Sequence, residues 1–190
     1  VEANREKVEG LSLVDEAAKL NVALLIYGSP LTATTHITLI EECKASGIKC
    51  KIINNASIFD AVAETGLQLY KFGKIASMPA WKKSFTPDSF MEIVQQNLSQ
   101  QAHSLILIDI GLEFSDALKQ LKIAAKKHSI PLNRLVICQS MGTKHQKILY
   151  RDLEELEGFS GVKKPYCIIL PSTKLHHIEK DFLEGFSGKN

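Results

Sequence analysis

The sequence predicts an α/β fold, because short apolar runs alternate along the chain with segments of helical periodicity. An apolar run at residues 22–26 precedes helical spacing at residues 35–46, and a second run follows at residues 49–53. Strand, helix and strand in this order predict a parallel sheet with right-handed crossovers. With 190 residues and 45% hydrophobic content, the chain is long enough for one or two such domains.

The first half supplies the pattern in its simplest form. Residues 22–26 (VALLI) are continuously apolar, as in a parallel strand covered on both faces. The helix predicted over residues 35–46 ends at Gly47, a typical C-cap residue. Residues 49–53 form the second predicted strand, and residues 54–57 (NNAS) offer an N-cap for a helix from Ile58.

The second half repeats the alternation. We predict helices at about residues 88–100, 114–128 and 174–184, and strands at residues 104–110, 134–139 and 166–171. Residues 147–159 are predicted as a strand that turns into a short helix. Residues 76–81 are interpreted as a linker, so the predicted domains are residues 1–77 and 82–190.

Composition excludes several classes of protein. Lys and Arg number 23 against 21 Asp and Glu, which argues against a dedicated nucleic-acid surface. No apolar run reaches the ~20 residues of a membrane span, and no secretory segment begins the sequence. Four cysteines without C-x-x-C spacing indicate reduced thiols and a cytoplasmic protein rather than zinc or disulfides; they are Cys43, Cys50, Cys138 and Cys167.

Three loops follow predicted strands, where ligands bind in open α/β sheets: residues 28–36, 54–57 and 140–143. Their small residues permit a close backbone approach to a ligand, although each is also compatible with an ordinary turn or helix cap. Asp109 ends a predicted buried strand and is either catalytic or a cap. His176 and His177 are adjacent on a predicted helix, so we expect a role at the helix start rather than a metal pair. We predict no metal site.

Several segments, taken in order, resemble the diphthine synthases of the tetrapyrrole methylase superfamily. "GSPLTATTH" (residues 28–36) is similar to the family's G-D-P-x-x-A-T-T-H, and "NASI" (55–58) to its next strand-end motif. "TGLQLYKFG" (65–73) matches nearly word for word. "PDSF" (87–90), "HSLILIDI" (103–110) and "KLHHIEKDFL" complete the series. The resemblance is strong over residues 22–110 and thin beyond.

The resemblance implies two α/β domains with a ligand cleft between them, usually in a homodimer. It implies a methyltransferase that uses S-adenosylmethionine, yields S-adenosylhomocysteine, and methylates the amine of a modified histidine on translation elongation factor 2. Carried over by position, the donor contacts are Ser29, Thr32, Ser57, Ile58, Ile108, Met141 and Tyr166. No catalytic base is identified. Methyl transfer needs two reactants held in line more than it needs an acid, which suits loops with little bulk.

Departures from the family pattern leave alternatives open. Ser29 replaces the family's acid, the L-A-R-x-G segment reads "CQSMG" (138–142), and Tyr166 stands where a histidine is expected. The family's N-terminal strand with its G-L-G-L loop has no counterpart here. Three explanations remain open: the chain is partial, the missing segment comes from elsewhere, or the protein has lost activity. A non-catalytic binding module of the same fold is the alternative, and a methylase of a tetrapyrrole ring is a weaker one.

The segment at residues 65–73 also predicts an interface. Leu67, Leu69, Tyr70 and Phe72 lie within six residues and on two registers, so we expect one face to require cover. A two-fold partner supplies such cover most often, which agrees with the family's dimeric habit. The alternative is that the second domain covers this surface.

Overall fold

A computed structural model describes residues 12–188, which divide into two compact units between Ile58 and Phe59. The first unit contains helices α1 (Ser12–Ala17) and α2 (Ile37–Ala45), and helix α3 (Ile58–Ala61) starts at its last residue. Gly47 ends α2 as predicted, with φ +67°. The amide N–H groups of Gly47 and Ile48 donate to the carbonyls of Lys44 and Cys43, which satisfies the last turn.

The two strands predicted in this unit are wrong. Neither residues 22–26 nor residues 49–53 form a strand, and within residues 12–188 neither run pairs its backbone with a neighbouring strand. The solvent-exposed fraction of Leu25 is 93% and that of Ile53 is 77%. An apolar run becomes a strand only when a neighbour satisfies its N–H and C=O groups, and periodicity does not reveal whether that neighbour exists.

The second unit is built on one sheet. Within the described residues its strands are β1 (Ala76–Met78), β2 (Ser104–Ile108), β3 (Arg134–Gln139), β4 (Lys147–Asp152) and β5 (Tyr166–Leu170). Their order is β1-β2-β5-β3-β4, and only the β1–β2 pair is parallel. The sheet is therefore mixed, not parallel as predicted. The short loop after β3 explains the antiparallel β3–β4 pair, since strands joined by a short connection are antiparallel neighbours.

Helices cover this sheet: α4 (Ser89–Ser99), α5 (Phe114–Lys127), α6 (Leu153–Glu157) and α7 (His177–Glu184). In α5 the buried side chains recur every three or four residues, at Leu118, Leu121 and Ala124, and they pack into the core. Ile123, counted in the predicted helix pattern, lies off this face and is 58% exposed. The core also holds apolar residues of α4 and of the strands, among them Phe90, Met91, Val94, Ile106, Ile137 and Ile168.

Residues 76–81 are not simply a linker, because Ala76–Met78 form strand β1 beside β2. The next residues are fastened to α5: the Trp81 N–H donates to Gln120 Oε1 at 2.9 Å, and Gln120 Nε2 donates to the Pro79 carbonyl at 3.0 Å. The division into domains 1–77 and 82–190 stays a prediction. The described residues contain no helix that is both long enough and apolar enough to cross a membrane.

Candidate functional site

The loop at residues 28–36, the first loop, has an irregular backbone held by its own side chains. Gly28 has φ +76° and Ala33 has φ +54°, a left-handed conformation that is uncommon for alanine. Thr32 Oγ1 donates a hydrogen bond of 2.9 Å to Ser29 Oγ. Ser29 and Thr32, both predicted to contact the methyl donor, are half-buried. The first loop therefore presents hydroxyls and backbone groups rather than bulk.

His36 closes the first loop just before α2. Its Nδ1 lies 2.9 Å from the carbonyl oxygen of Pro30, and its backbone N–H faces Thr34 Oγ1 at 3.4 Å. A carbonyl only accepts, so the Nδ1 atom carries the hydrogen in this bond. The imidazole is half-buried.

The loop at residues 54–57, the second loop, lies against the first loop. A Cβ atom built on Gly28 would stand 3.5 Å from the carbonyl oxygen of Ala56, so the two backbones pass close to each other. Asn55 Oδ1 accepts from the Ala56 N–H at 2.8 Å. Ser57 and Ile58, the predicted donor contacts of this loop, follow directly and are half-buried. The first unit thus brings its four predicted site residues into two adjacent loops.

The second unit brings its three predicted site residues to one edge of the sheet, the one at which β2 and β3 end and β5 begins. Ile108 ends β2, and Tyr166 begins the neighbouring antiparallel strand β5. Tyr166 is paired in turn with Gln139 at the end of β3, two residues before Met141. The Ser140 N–H donates to the Pro165 carbonyl at 2.9 Å, which ties the loop carrying Met141 to the start of β5.

Tyr166 is a packing residue at this edge. It is 8% exposed, its hydroxyl donates to the Leu112 carbonyl at 3.0 Å, and its ring meets Phe114 edge-on at 5.5 Å. Burial raises the pKa of its hydroxyl far above the ordinary value, and the nearby Glu113 and Asp116 raise it further. The tyrosine therefore stays protonated and does not serve as a base.

A pocket of about 320 Å³ opens beside Met141, lined by Gln139, Ser140, His145, Gly161, Lys163 and Lys164. The Gln139 amide holds its two walls together: Nε2 donates to the His145 carbonyl at 3.2 Å, and Oε1 accepts from the Lys163 N–H at 2.7 Å. Sequence reasoning missed this role. The signal available was a polar residue at the end of an otherwise apolar strand.

Asp109 acts as a connector, which favours the cap interpretation over the catalytic one. Its Oδ2 atom accepts from the Ala80 N–H at 3.2 Å, and its own N–H donates to the Met78 carbonyl at 3.1 Å. The carboxylate therefore fixes the chain as it leaves β1. His176 likewise serves as the N-cap of α7, in a capping box with Glu179, as expected for a residue at a helix start.

The segment at residues 65–73 is held by a buried charge cluster that sequence reasoning also missed. We call it the Glu179 joint; Glu179 is fully buried and accepts from Lys71 Nζ at 2.5 Å and from His103 Nε2 at 3.1 Å. It also accepts from two backbone N–H groups, those of Gln68 and His176. Burial alone would raise the pKa of Glu179, but these hydrogen bonds outweigh burial and lower it to about 2.

The segment packs one part of its apolar surface and leaves another exposed, as expected, but the two predicted registers do not separate the parts. Leu67 is buried, and the ring of Phe72 packs edge-on against His103 at 5.2 Å because the Glu179 joint draws the segment onto α7. Leu69 and Tyr70 remain exposed, at 44% and 82%. The remaining apolar surface is smaller than the sequence suggested.

Comparison with known proteins shows the family to which the chain belongs. The tetrapyrrole (corrin/porphyrin) methylases match residues 1–157. The chain belongs to the tetrapyrrole methylase family. It is 35% identical to a diphthine synthase of Methanocaldococcus jannaschii over 95% of this chain and 76% of that protein. It is 29% identical to a probable diphthine methyl ester synthase of Arabidopsis thaliana over 99% and 78%.

A solved structure agrees with this assignment. A crystal structure of a diphthine synthase superposes with a TM-score of 0.84 at 27% identity, covering 98% of this chain and 74% of that one. The resemblance to diphthine synthases is thereby confirmed, as is the α/β fold of the tetrapyrrole methylase type. The chain spans about three quarters of the length of these relatives.

Proposed function

We propose that this chain is an S-adenosylmethionine-dependent methyltransferase that methylates the amine of the modified histidine on translation elongation factor 2. The observation that carries the proposal is the gathering of Ile108, Met141 and Tyr166 at one edge of the sheet, although they are far apart in sequence. The similarity to diphthine synthases supports the same activity. We also propose the family's two-domain arrangement with the donor between the domains, a homodimer, and a cytoplasmic location.

The residues present fit the donor in kind. Gly142, next to Met141, has φ +75°, and a Cβ built on it would meet nothing within 4 Å, so the loop leaves room for a ligand. In the first unit, Ser29 and Thr32 offer hydroxyls beside a backbone that lacks bulk. In the first unit the residues that would hold the donor are Ser29, Thr32, Ser57 and Ile58, and in the second unit they are Ile108 and Met141.

These side chains act by binding and orientation. When bound, S-adenosylmethionine supplies a methyl group on a sulfonium sulfur, which an amine attacks in line. Half-buried loops exclude water and fix the direction of approach, which accounts for most of the acceleration that such a displacement needs. Tyr166 keeps its proton and supports the edge on which Met141 is mounted.

Calorimetric titration of the full chain with S-adenosylhomocysteine tests the proposal. We expect a Kd of about 1–10 μM, or about −7 to −8 kcal/mol. Thr32→Val removes one hydroxyl of the first loop and should weaken binding several-fold. Thr173→Val is the matched control, since Thr173 is exposed and follows β5 at the end opposite Tyr166. Absence of binding by the wild-type chain would reject the enzyme.

One observation favours the alternative of a non-catalytic module. The runs at residues 22–26 and 49–53, which lead into the two donor loops, lie outside any sheet in the described part of the chain. Loops without a strand behind them are positioned less rigidly. Binding of S-adenosylhomocysteine without methyl transfer to elongation factor 2 would support this module.

A further inference from the structure

We propose that His36 is the general base that frees the acceptor amine for methyl transfer. The inference rests on the proposed function and adds the proton acceptor that it lacks. An aliphatic amine is protonated near neutral pH, so its nitrogen has no lone pair for attack until a proton leaves. Imidazole is the side chain that most often accepts such a proton at this pH.

The geometry of the first loop fixes which nitrogen of His36 is free. Nδ1–H donates to the Pro30 carbonyl at 2.9 Å, so in the neutral ring the lone pair lies on Nε2. A carbonyl on the opposite nitrogen selects the tautomer and orients the ring, as it does for many catalytic and metal-bound histidines. His36 as a whole is only half-buried.

The loop that carries His36 is also shaped at some cost. Ala33 holds a left-handed backbone, at φ +54°, which is unfavourable for a residue other than glycine. Strain of this kind persists where the surroundings over-determine the backbone, and it gathers at functional sites. Here it directs the chain so that the imidazole turns back onto Pro30.

Tyr166 at the predicted donor site and His103 at the opposite end of β2 are poorer bases. Tyr166 is buried and keeps its proton. His103 is fully buried: its Nδ1 accepts from the Ser172 N–H at 2.9 Å, and its Nε2 faces Glu179. His145 is the remaining rival, since it is exposed on the loop that follows Met141. Within the described residues, the hydrogen bonds of His145 are made by its backbone carbonyl and N–H, so none of them orients its ring.

The proposed step moves one proton. The N–H bond of the acceptor ammonium breaks, the proton forms a bond to His36 Nε2, and the electron pair that remains on nitrogen becomes the nucleophile. The imidazolium keeps its Nδ1–H bond to the Pro30 carbonyl, which stabilises the new charge. The proton then passes to solvent at the half-exposed ring.

A purely structural role for His36 would consist of the same bond to Pro30, which pins the loop. His36→Asn separates the two roles, since the asparagine amide occupies the position of Nδ1–H and can keep that bond but has no Nε2. We expect the variant to bind S-adenosylhomocysteine within about twofold of wild type. We expect its rate of methyl transfer to elongation factor 2 to fall by about 10²–10⁴-fold. His177→Asn, at the exposed start of α7, serves as the control with an unchanged rate.

Two further measurements keep the test independent of a single variant. Nitrogen NMR of the full chain, labelled at histidine, should show the Nδ1–H tautomer for His36. Free imidazole should restore part of the rate of His36→Ala, because it replaces a lost proton acceptor and not a lost loop contact. An Nε2–H tautomer, an unchanged rate for His36→Asn, or the rate loss appearing in His145→Asn instead would each overturn the assignment. A wild-type chain that neither binds the donor product nor transfers methyl would overturn the proposed function itself, and the base with it.

Discussion

The first loop and the Glu179 joint both carry motifs typical of the family, yet they are held in opposite ways. Buried charges hold the joint: Glu179 accepts four hydrogen bonds, two from backbone groups and two from Lys71 and His103. The first loop is held by neutral bonds of local range at half-buried positions, Thr32 to Ser29 and His36 to Pro30. A motif that identifies a family therefore marks either a scaffold or a site, and only contacts distinguish the two.

Removing the carboxylate of Glu179 should have the largest effect on the free energy of unfolding. Glu179→Ala leaves Lys71 and two backbone N–H groups without their partner in a buried place, so we expect a loss of about 3–5 kcal/mol in the free energy of unfolding. Urea denaturation at pH 7 measures it. Glu154→Gln, on the exposed face of α6, is the control and should change stability by less than about 0.5 kcal/mol. Similar values for both variants would show that the joint is not a scaffold.

Acid should weaken the Glu179 joint. The pKa of Glu179 is lowered in the folded chain from 4.5 to about 2, so its stabilisation is present above pH 4.5 and is lost between pH 4.5 and pH 2. A shift of that size amounts to about 3 kcal/mol. Burial lowers the pKa of His103, partly opposed by Glu179, so stability also begins to fall below pH 6.5. Unfolding followed from pH 7 to pH 3 should lose the lower step in Glu179→Gln; persistence of that step would contradict this assignment.

Glycine substitutions compare the segment at residues 65–73, which the Glu179 joint holds, with the end of α2. Gly66 in that segment and Gly47 after α2 share a left-handed backbone, at φ +80° and +67°. A Cβ at Gly66 would lie 2.6 Å from Phe182 Cγ, whereas one at Gly47 meets nothing within 4 Å. We expect Gly66→Ala to cost about 2–4 kcal/mol through strain and overpacking, and Gly47→Ala about 1 kcal/mol. Thermal unfolding of both proteins gives the difference, and equal costs would mean that Phe182 yields.

The smallest expected effect lies in the first loop and concerns binding. Ser29→Asp restores the acid found in the family pattern, and charge-assisted bonds to the donor should tighten S-adenosylhomocysteine by about 1.5 kcal/mol, roughly tenfold. Ser46→Asp, after α2, adds the same charge outside the loop and should leave the Kd unchanged. Weaker binding by Ser29→Asp would indicate that the loop has been rebuilt around serine.

The sequence predicted the second unit well, because its elements show their burial in their pattern. Strands β2, β3 and β5, helices α4, α5 and α7, and the turn from β4 into α6 all lie where they were expected, within a few residues. The predictions that failed concern which segments pair as strands and in which direction they run. Residues 22–26 resemble β2 in composition, but composition does not show whether a neighbouring strand exists, and it does not fix the direction of β3 against β5.

The candidate site was predictable in its loops but not in its chemistry. The loops at residues 28–36, 54–57 and 140–143 were visible as small residues after apolar runs, although only the third of them follows a strand. The bond from His36 to Pro30 was not visible, because a tautomer depends on a contact six residues away that only the folded loop makes. Gln139 and Glu179 were missed for a similar reason: their partners lie 24 and up to 111 residues away.

The outer edge of the sheet has a consequence for behaviour at high concentration. Strand β4 is an edge, and an edge strand with free N–H groups is a ready template for a second chain and for aggregation. The Phe186 carbonyl accepts from the Tyr150 N–H at 3.2 Å and from Arg151 Nη1 at 2.9 Å, so the turn after α7 blocks part of this edge. The charged side chains of Lys147 and Arg151 disfavour the pairing of another strand with the rest of this edge. The turn that follows α7 therefore occupies part of the strand with which a second chain could otherwise pair.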